Sequence, residues 1–289
     1  MTAPLRFLMV ESETPDQREH RRRSAGRSAG ESFAATLEQL SPGCMVDRVT
    51  PSDEGAEPMR PEQIAEFDAV FLSGSPLHVY CDTPETRRQI AFMQAVFASG
   101  TPSFGSCAGL QVAVAAAGGK VRAMEDRQES GLARRITPTA DGRDHPLLAG
   151  RPPAWDAPAI HGDEVEELPD GAVLLAGNGV ARVQAAEIRH GEGVFWGVQY
   201  HPELAPGEIA AALRRQADDL VENGLAPDKD IVERHAELFD QLHDEPDRRD
   251  LRWRLGIDAE VAEEPRRRTE IINFLHHLVP QTRARRGRG

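Results

Sequence analysis

Two apolar runs of strand length, Leu5 to Val10 and Ala69 to Leu72, and a short strand over Thr101 to Ser106 alternate with segments whose apolar residues keep helical spacing. A strand that is apolar on both faces must be covered on both, and parallel neighbours need a long crossover, usually a helix. The alternation therefore predicts an α/β fold, with a mostly parallel sheet flanked by helices.

The intervening segments carry their own punctuation. Cys44 to Thr50 fits a further strand, and the run ending at Leu72 stops at the turn signature Ser73-Gly74-Ser75-Pro76. Thr83-Pro84 reads as an N-cap with proline at the first helical position, and Ile90, Met93, Val96 and Phe97 hold one helical face up to Gly100. Ala108 to Ala117 reads as a small-residue helix closed by Gly118-Gly119. The stretch from Glu11 to Ser32 is polar and holds Arg18, Arg21, Arg22, Arg23 and Arg27, which suggests a long loop or a loop with a short helix. As it follows the first strand, it is expected to project from the sheet edge that carries the site, and docking of an anionic substrate or a partner is one reading. A solvated charged loop is the other.

From Val121 to Val198 short strands and glycine turns predict a small antiparallel annex, ending in the strand Gly193 to Tyr200. After Pro206 the pattern is helical over Glu208 to Asn223, Asp228 to His243 and Asp247 to Leu255. A last helix starts at Pro265 with Ile271, Phe274, Leu275 and Leu278 on one face. The expected division is therefore a domain over 1–205 and a helical C-terminal appendage over 206–289, whose basic end, Arg283 to Gly289, is expected to be disordered.

Charge narrows the function. A net charge of −13 argues against a general nucleic-acid binder, which needs a basic face to neutralise phosphate. Three cysteines, Cys44, Cys81 and Cys107, cannot all pair, and no apolar leader follows Met1, so a cytoplasmic protein rather than a disulfide-stapled secreted one is expected. No apolar run approaches the roughly 20 residues of a membrane span.

Gly105-Ser106-Cys107-Ala108-Gly109 places a cysteine between strand and helix, with glycines two positions to either side. This is nucleophile-elbow logic with cysteine for serine. The tight turn exposes the thiol at a helix start, where the dipole and free amides favour the reactive thiolate. His201, in Gln199-Tyr200-His201-Pro202-Glu203, follows the Gly193 strand and should reach the same sheet edge. There its ring can take the thiol proton while Glu203 fixes its tautomer. The oxyanion hole is expected from the backbone amides of Ala108 and of the Gly74 turn. A buried structural cysteine, a surface histidine and an ordinary strand-ending turn are the bland alternatives. No metal-ligand spacing is left unexplained, and no cofactor or metal is expected.

Five ordered segments, Phe71 to Pro76, Gly105 to Gln111, Gly118-Gly119, His161-Gly162-Asp163 and Gly197 to Glu203, resemble class I (triad) glutamine amidotransferases. The resemblance spans roughly Leu5 to Leu204 and is nearest the glutaminase part of GMP synthases and their stand-alone relatives. It implies a flavodoxin-like α/β fold, Cys107 as the nucleophile forming a γ-glutamyl thioester, His201 as base and Glu203 as its orienter. It further implies Gly74 and Ala108 at the oxyanion hole and Gln111, with Ser75, near the glutamine pocket. Gly74-Ser75-Pro76 departs from the family's Gly-Gly-Pro, which reduces backbone freedom at Ser75. Nothing after Pro206 resembles the phosphate loop of an ATP-pyrophosphatase domain, so the chain alone is not a complete GMP synthase.

Three functions follow. One is a glutaminase that passes ammonia to a separate synthase subunit. Another is a free-standing hydrolase of γ-glutamyl amides. The third is a catalytically idle regulatory or binding module on the same fold. The helical appendage is left to cover the sheet, form a homodimer face or bind the synthase.

Overall fold

The N-terminal apolar run forms β1 (Arg6–Val10), and β2 (Met45–Val49), β3 (Ala69–Leu72) and β4 (Ser103–Ser106) follow as the short strands expected. The computed structural model describes residues 4–125 and 128–287. The remaining strands are β5 (Lys120–Ala123), β6 (Glu129–Pro138), β7 (Trp155–His161), β8 (Asp163–Glu167), β9 (Ala172–Gly177), β10 (Ala185–His190) and β11 (Gly193–Val198).

One nine-stranded sheet runs in the order β2-β1-β3-β4-β11-β10-β9-β6-β7, beside a two-stranded β5-β8 ribbon. The pairs β1 with β2, β1 with β3, β3 with β4 and β4 with β11 are parallel. From β11 onward each neighbour is antiparallel. The parallel half thus has the doubly wound, flavodoxin-like order, and the antiparallel strands extend the same sheet instead of forming a separate layer.

Burial on both faces accounts for the unbroken apolar runs. Phe7 and Met9 of β1 join a cluster with Phe33, Phe71, Phe104 and Trp196, while Leu8 and Val10 face the opposite cluster with Phe92, Phe97, Leu110 and Phe195. The strand alternates sides, and both sides are core.

The arginine-rich stretch, expected as a long loop or a loop with a short helix, is mostly helical. It holds helix Pro15–Ala25 and the start of helix Ala29–Leu40. Each opens with a capping box: the Thr14 amide donates to Gln17 Oε1 at 2.9 Å, and the Ser28 amide to Glu31 Oε2 at 2.9 Å. Gly26, at φ 76°, ends the first helix in the left-handed conformation that glycine adopts without strain.

The tail is more finely broken than its sequence suggests. Helices Pro206–Arg215 and Ala217–Glu222 replace one long segment, followed by Lys229–Asp244 and Arg249–Leu255. Ile209, Leu213, Val232, Phe239, Leu242 and Leu251 form a core of their own there. The last segment behaves differently. Ile271, Phe274, Leu275 and Leu278 enter the sheet's core, with Phe274 edge-on to Phe71 at 5.3 Å between ring centroids. Of the stretch expected to be disordered, Arg283 to Arg285 end the helix Val279–Arg285, and Arg283 pairs with Asp68 at 3.0 Å. Arg288 and Gly289 lie outside the described residues.

Candidate active site

Strand β4 ends at Ser106, directly beside Val198 at the end of β11. The Cys107 amide donates to the Val198 carbonyl at 2.8 Å, and helix Ala108–Ala116 starts at the next residue. Cys107 sits at φ 53°, ψ −113°, a conformation that costs of order 1–3 kcal/mol in a non-glycine residue and persists only where its surroundings fix it. The flanking glycines permit the turn. A Cβ on Gly105 would lie 2.9 Å from the Gly109 carbonyl carbon, and one on Gly109 would lie 2.8 Å from the Leu72 carbonyl oxygen.

The adjacent strand brings the histidine. Past β11, the His201 amide donates to the Pro158 carbonyl at 2.7 Å, which sets the loop against β7. His201 Nδ1 and Glu203 Oε1 are 2.8 Å apart, and Ser106 Oγ donates to the same carboxylate oxygen at 2.9 Å. All three side chains are buried. Burial by itself disfavours the imidazolium, but the charges of Glu203 and Cys107 outweigh it and push His201 up to about 10. With Nδ1 taken by the carboxylate, Nε2 is the nitrogen left to exchange protons.

Gly74 closes the third side. A Cβ there would lie 2.6 Å from His201 Cε1 and 3.6 Å from Cys107 Cβ, so no larger residue fits without moving the imidazole. Ser75 beside it is not among the residues of positive φ, so serine is tolerated where glycine was the expected type. Its Oγ accepts from the Leu77 amide at 3.2 Å.

Cys107, His201, Gly74, Ser75, Pro76 and Ile160 share one cleft of about 460 Å3. Ala108 follows the thiol at the helix start. Gln111 lies elsewhere: it is buried, outside the cleft lining, and donates to the Asp163 carbonyl and to Gln199 Oε1, each at 3.2 Å. The stretch after β1 does reach the site, as expected, and residues beyond His201 join it without a sequence signal. Glu13, Asp16, Gln17, His20 and Arg21 come from the N-terminal helix and the turn before it, and Leu204, Arg215 and Gln216 from beyond His201. Of the arginine run, Arg18 is bound to Asp53 at 2.6 Å, Arg22 to Glu31 at 2.7 Å and Arg23 to Glu19 at 3.1 Å. Only Arg21 of the five lines the cleft.

Behind the site stands a second histidine–carboxylate pair. His161 Nε2 is 2.8 Å from Glu129 Oε2, its Nδ1 is 3.0 Å from the Asp163 carbonyl, and Gln184 donates to the same Glu129 oxygen at 2.7 Å. No group of three or more potential metal ligands occurs among the described residues. Nor is any described helix long and apolar enough to cross a membrane.

The family model "Glutamine amidotransferase class-I" matches residues 25–218. The chain belongs to the class I glutamine amidotransferase family. Among curated relatives, a γ-glutamyl-L-1-hydroxyisopropylamide hydrolase from a Pseudomonas species is 36% identical over 98% of this chain and 96% of its own length. A glutamine-hydrolysing GMP synthase from Porphyromonas gingivalis is 31% identical over 70% of this chain but only 38% of its own length. Among solved structures, a glutamine amidotransferase of Thermotoga maritima aligns with TM-score 0.65 over 96% of this chain and 99% of its own, at 17% identity, and shares the fold. The first and last of these similarities run through the helical tail, where the resemblance seen in the motifs stops. Family membership and the full-length relative together support a hydrolase.

Proposed function

We propose that this amidotransferase-family chain is a free-standing hydrolase of γ-glutamyl amides, acting through a cysteine thioester. The observation that carries the reading is the end-to-end match to a γ-glutamyl amide hydrolase, tail included, whereas the chain spans well under half of the GMP synthase it matches. This places the emphasis on direct hydrolysis over delivery of ammonia to a synthase, the function suggested first by the motifs.

The chemistry follows from the residues. The Cys107 thiolate attacks the amide carbon, and the oxygen that becomes negative is held by the amides of Ala108 and the Gly74 turn. His201 passes its proton to the departing nitrogen as the carbon–nitrogen bond breaks, leaving a γ-glutamyl thioester and a free amine. Water, deprotonated by His201, then attacks the thioester; the carbon–sulfur bond breaks and glutamate leaves. Glu203 holds the imidazole, and Ser106 holds Glu203. Gln111 acts from behind through the Asp163 backbone, and Ser75 supports the oxyanion turn.

The test is glutamate release by the purified chain from glutamine and from γ-glutamyl alkylamides, wild type against Cys107→Ala. Cysteine-dependent turnover with no partner present is expected. Negligible turnover of every amide, raised by adding a synthase subunit, would return the weight to ammonia delivery.

A further inference from the structure

Resting on the hydrolase reading, we infer that the outer wall of the cleft, built around Arg21 and Arg215, is the subsite for the leaving amine, and that it selects amines bearing a carboxylate, as in γ-glutamyl amino acids.

The placement follows from proton transfer. His201 must protonate the departing nitrogen, so the amine has to lie on the imidazole's side of the thiol. The cleft continues outward from His201 through Leu204, whose amide donates to the His201 carbonyl at 3.2 Å, to Arg215 at the end of helix Pro206–Arg215. Arg21 reaches the same helix from the facing one, through Glu208. The amine side of the substrate therefore runs between these two arginines.

The selectivity follows from how they are held. Arg21 has one ion pair, a long 3.5 Å contact with Glu208, and its buried Nε has no partner among the described residues. Arg215 is half-buried, and its Nη1 donates to a neutral group, Ser24 Oγ, at 3.1 Å. No ion pair to a carboxylate is formed by it among the described residues. Burial first, and then the nearby Arg21 charge, lower Arg215 to about 10 against the opposing charges of Glu13 and Glu208. Glu13 and Asp16 share the cleft lining, neither forms an ion pair with Arg215 among the described residues, and Glu13 is held elsewhere. Its Oε2 accepts from the Ala29 amide at 2.9 Å, and burial pushes its carboxyl up to about 6. An incoming carboxylate would meet the Arg215 guanidinium, which pairs with no carboxylate among the described residues, and bidentate pairing with guanidinium is among the strongest hydrogen bonds available.

The experiment compares kcat/KM for γ-glutamyl-L-alanine and γ-glutamyl isopropylamide, which differ by a carboxylate against a methyl group on the amine. Wild type is expected to prefer the former by about tenfold or more, the effect of one charge-assisted hydrogen bond. Arg215→Gln and Arg21→Gln are expected to collapse that ratio toward one, chiefly through KM, with Arg215→Lys keeping part of it. Because the readout is a ratio, a general loss of folded protein does not imitate the result. Equal rates for the two amides in wild type would overturn the subsite while leaving the hydrolase reading intact. Absence of turnover with both would instead count against the hydrolase reading. A preference that survives both glutamine variants would also overturn the subsite.

Discussion

Two buried histidine–carboxylate pairs of the same length lie among the described residues, His201–Glu203 and His161–Glu129, each at 2.8 Å. They differ in what the other ring nitrogen does. In His161 both nitrogens are engaged, one by Glu129 and one by the Asp163 carbonyl, and the ring is sealed behind the cleft. In His201 Nδ1 is held by Glu203, and the rest of the ring lines the cleft and meets the Cys107 thiol. A histidine gripped by an acid is thus no evidence of catalysis by itself. In the proposed reaction, a ring nitrogen that meets the thiol is the distinguishing feature.

The largest expected effect separates the pairs outright. His201→Asn should lower kcat by about 10³-fold or more, within the range for losing a general acid and base. His161→Asn should act mainly on stability. Removing one partner of a buried pair costs about 3–5 kcal/mol, or roughly 6–15 °C in a chain of this size, with a smaller loss of kcat in the protein that stays folded. Thermal melts alongside steady-state kinetics for both variants decide it. Comparable kinetic losses would mean that the second pair reaches into the chemistry.

Gly74→Ala comes next. The added carbon would stand 2.6 Å from His201 Cε1, and kcat should fall by about 10²-fold as the imidazole is displaced from the thiol. A near-normal rate would show that His201 has room to move. The pH dependence sharpens the comparison further. His201 is raised to about 10 in the folded state, so the stabilisation from its pairing is fully present below its unfolded value, about 6.5, and is lost as pH rises through about 10. Activity should therefore fall on the alkaline side near pH 10. Glu203→Gln removes the main favourable charge, and the same limb should move toward neutrality in a pH–rate profile; an unmoved limb would assign it to another group.

The smallest effect is expected at Tyr200→Phe. Tyr200 Oη donates to Glu270 Oε1 at 2.7 Å, and Glu270 is also gripped by Arg151, which reaches Glu260 at 2.7 Å. This buried network ties the last helices to the residue before His201. Losing one hydrogen bond while Arg151 still satisfies Glu270 should cost about 1 kcal/mol in a denaturation midpoint and change kcat little.

Local signals made part of this legible. The strand runs, the elbow glycines and the face of Ile271, Phe274, Leu275 and Leu278 all found their places in the core. The first N-terminal helix had its signals too, in Thr14-Pro15 with Gln17, and Gly26. It was masked because Pro15–Ala25 has almost no apolar face and little besides Arg18 buried. The Ser106 hydroxyl, the Glu129 pair and Arg215 had no local signal at all, since each depends on a partner distant in the chain.

What the sequence determined by itself was periodic or contiguous: strands buried on both faces, a cysteine held in a glycine-flanked turn, and a carboxylate two residues after a histidine. Those features follow from φ, ψ and side-chain spacing, which neighbours along the chain set. Only the tertiary structure decided that β4 and β11 lie side by side with Ser106 opposite Val198, and so that Cys107 and His201 meet. It likewise decided which of five arginines faces the cleft and which histidine meets the thiol, because strand order and helix docking are settled by burial of surfaces far apart in sequence.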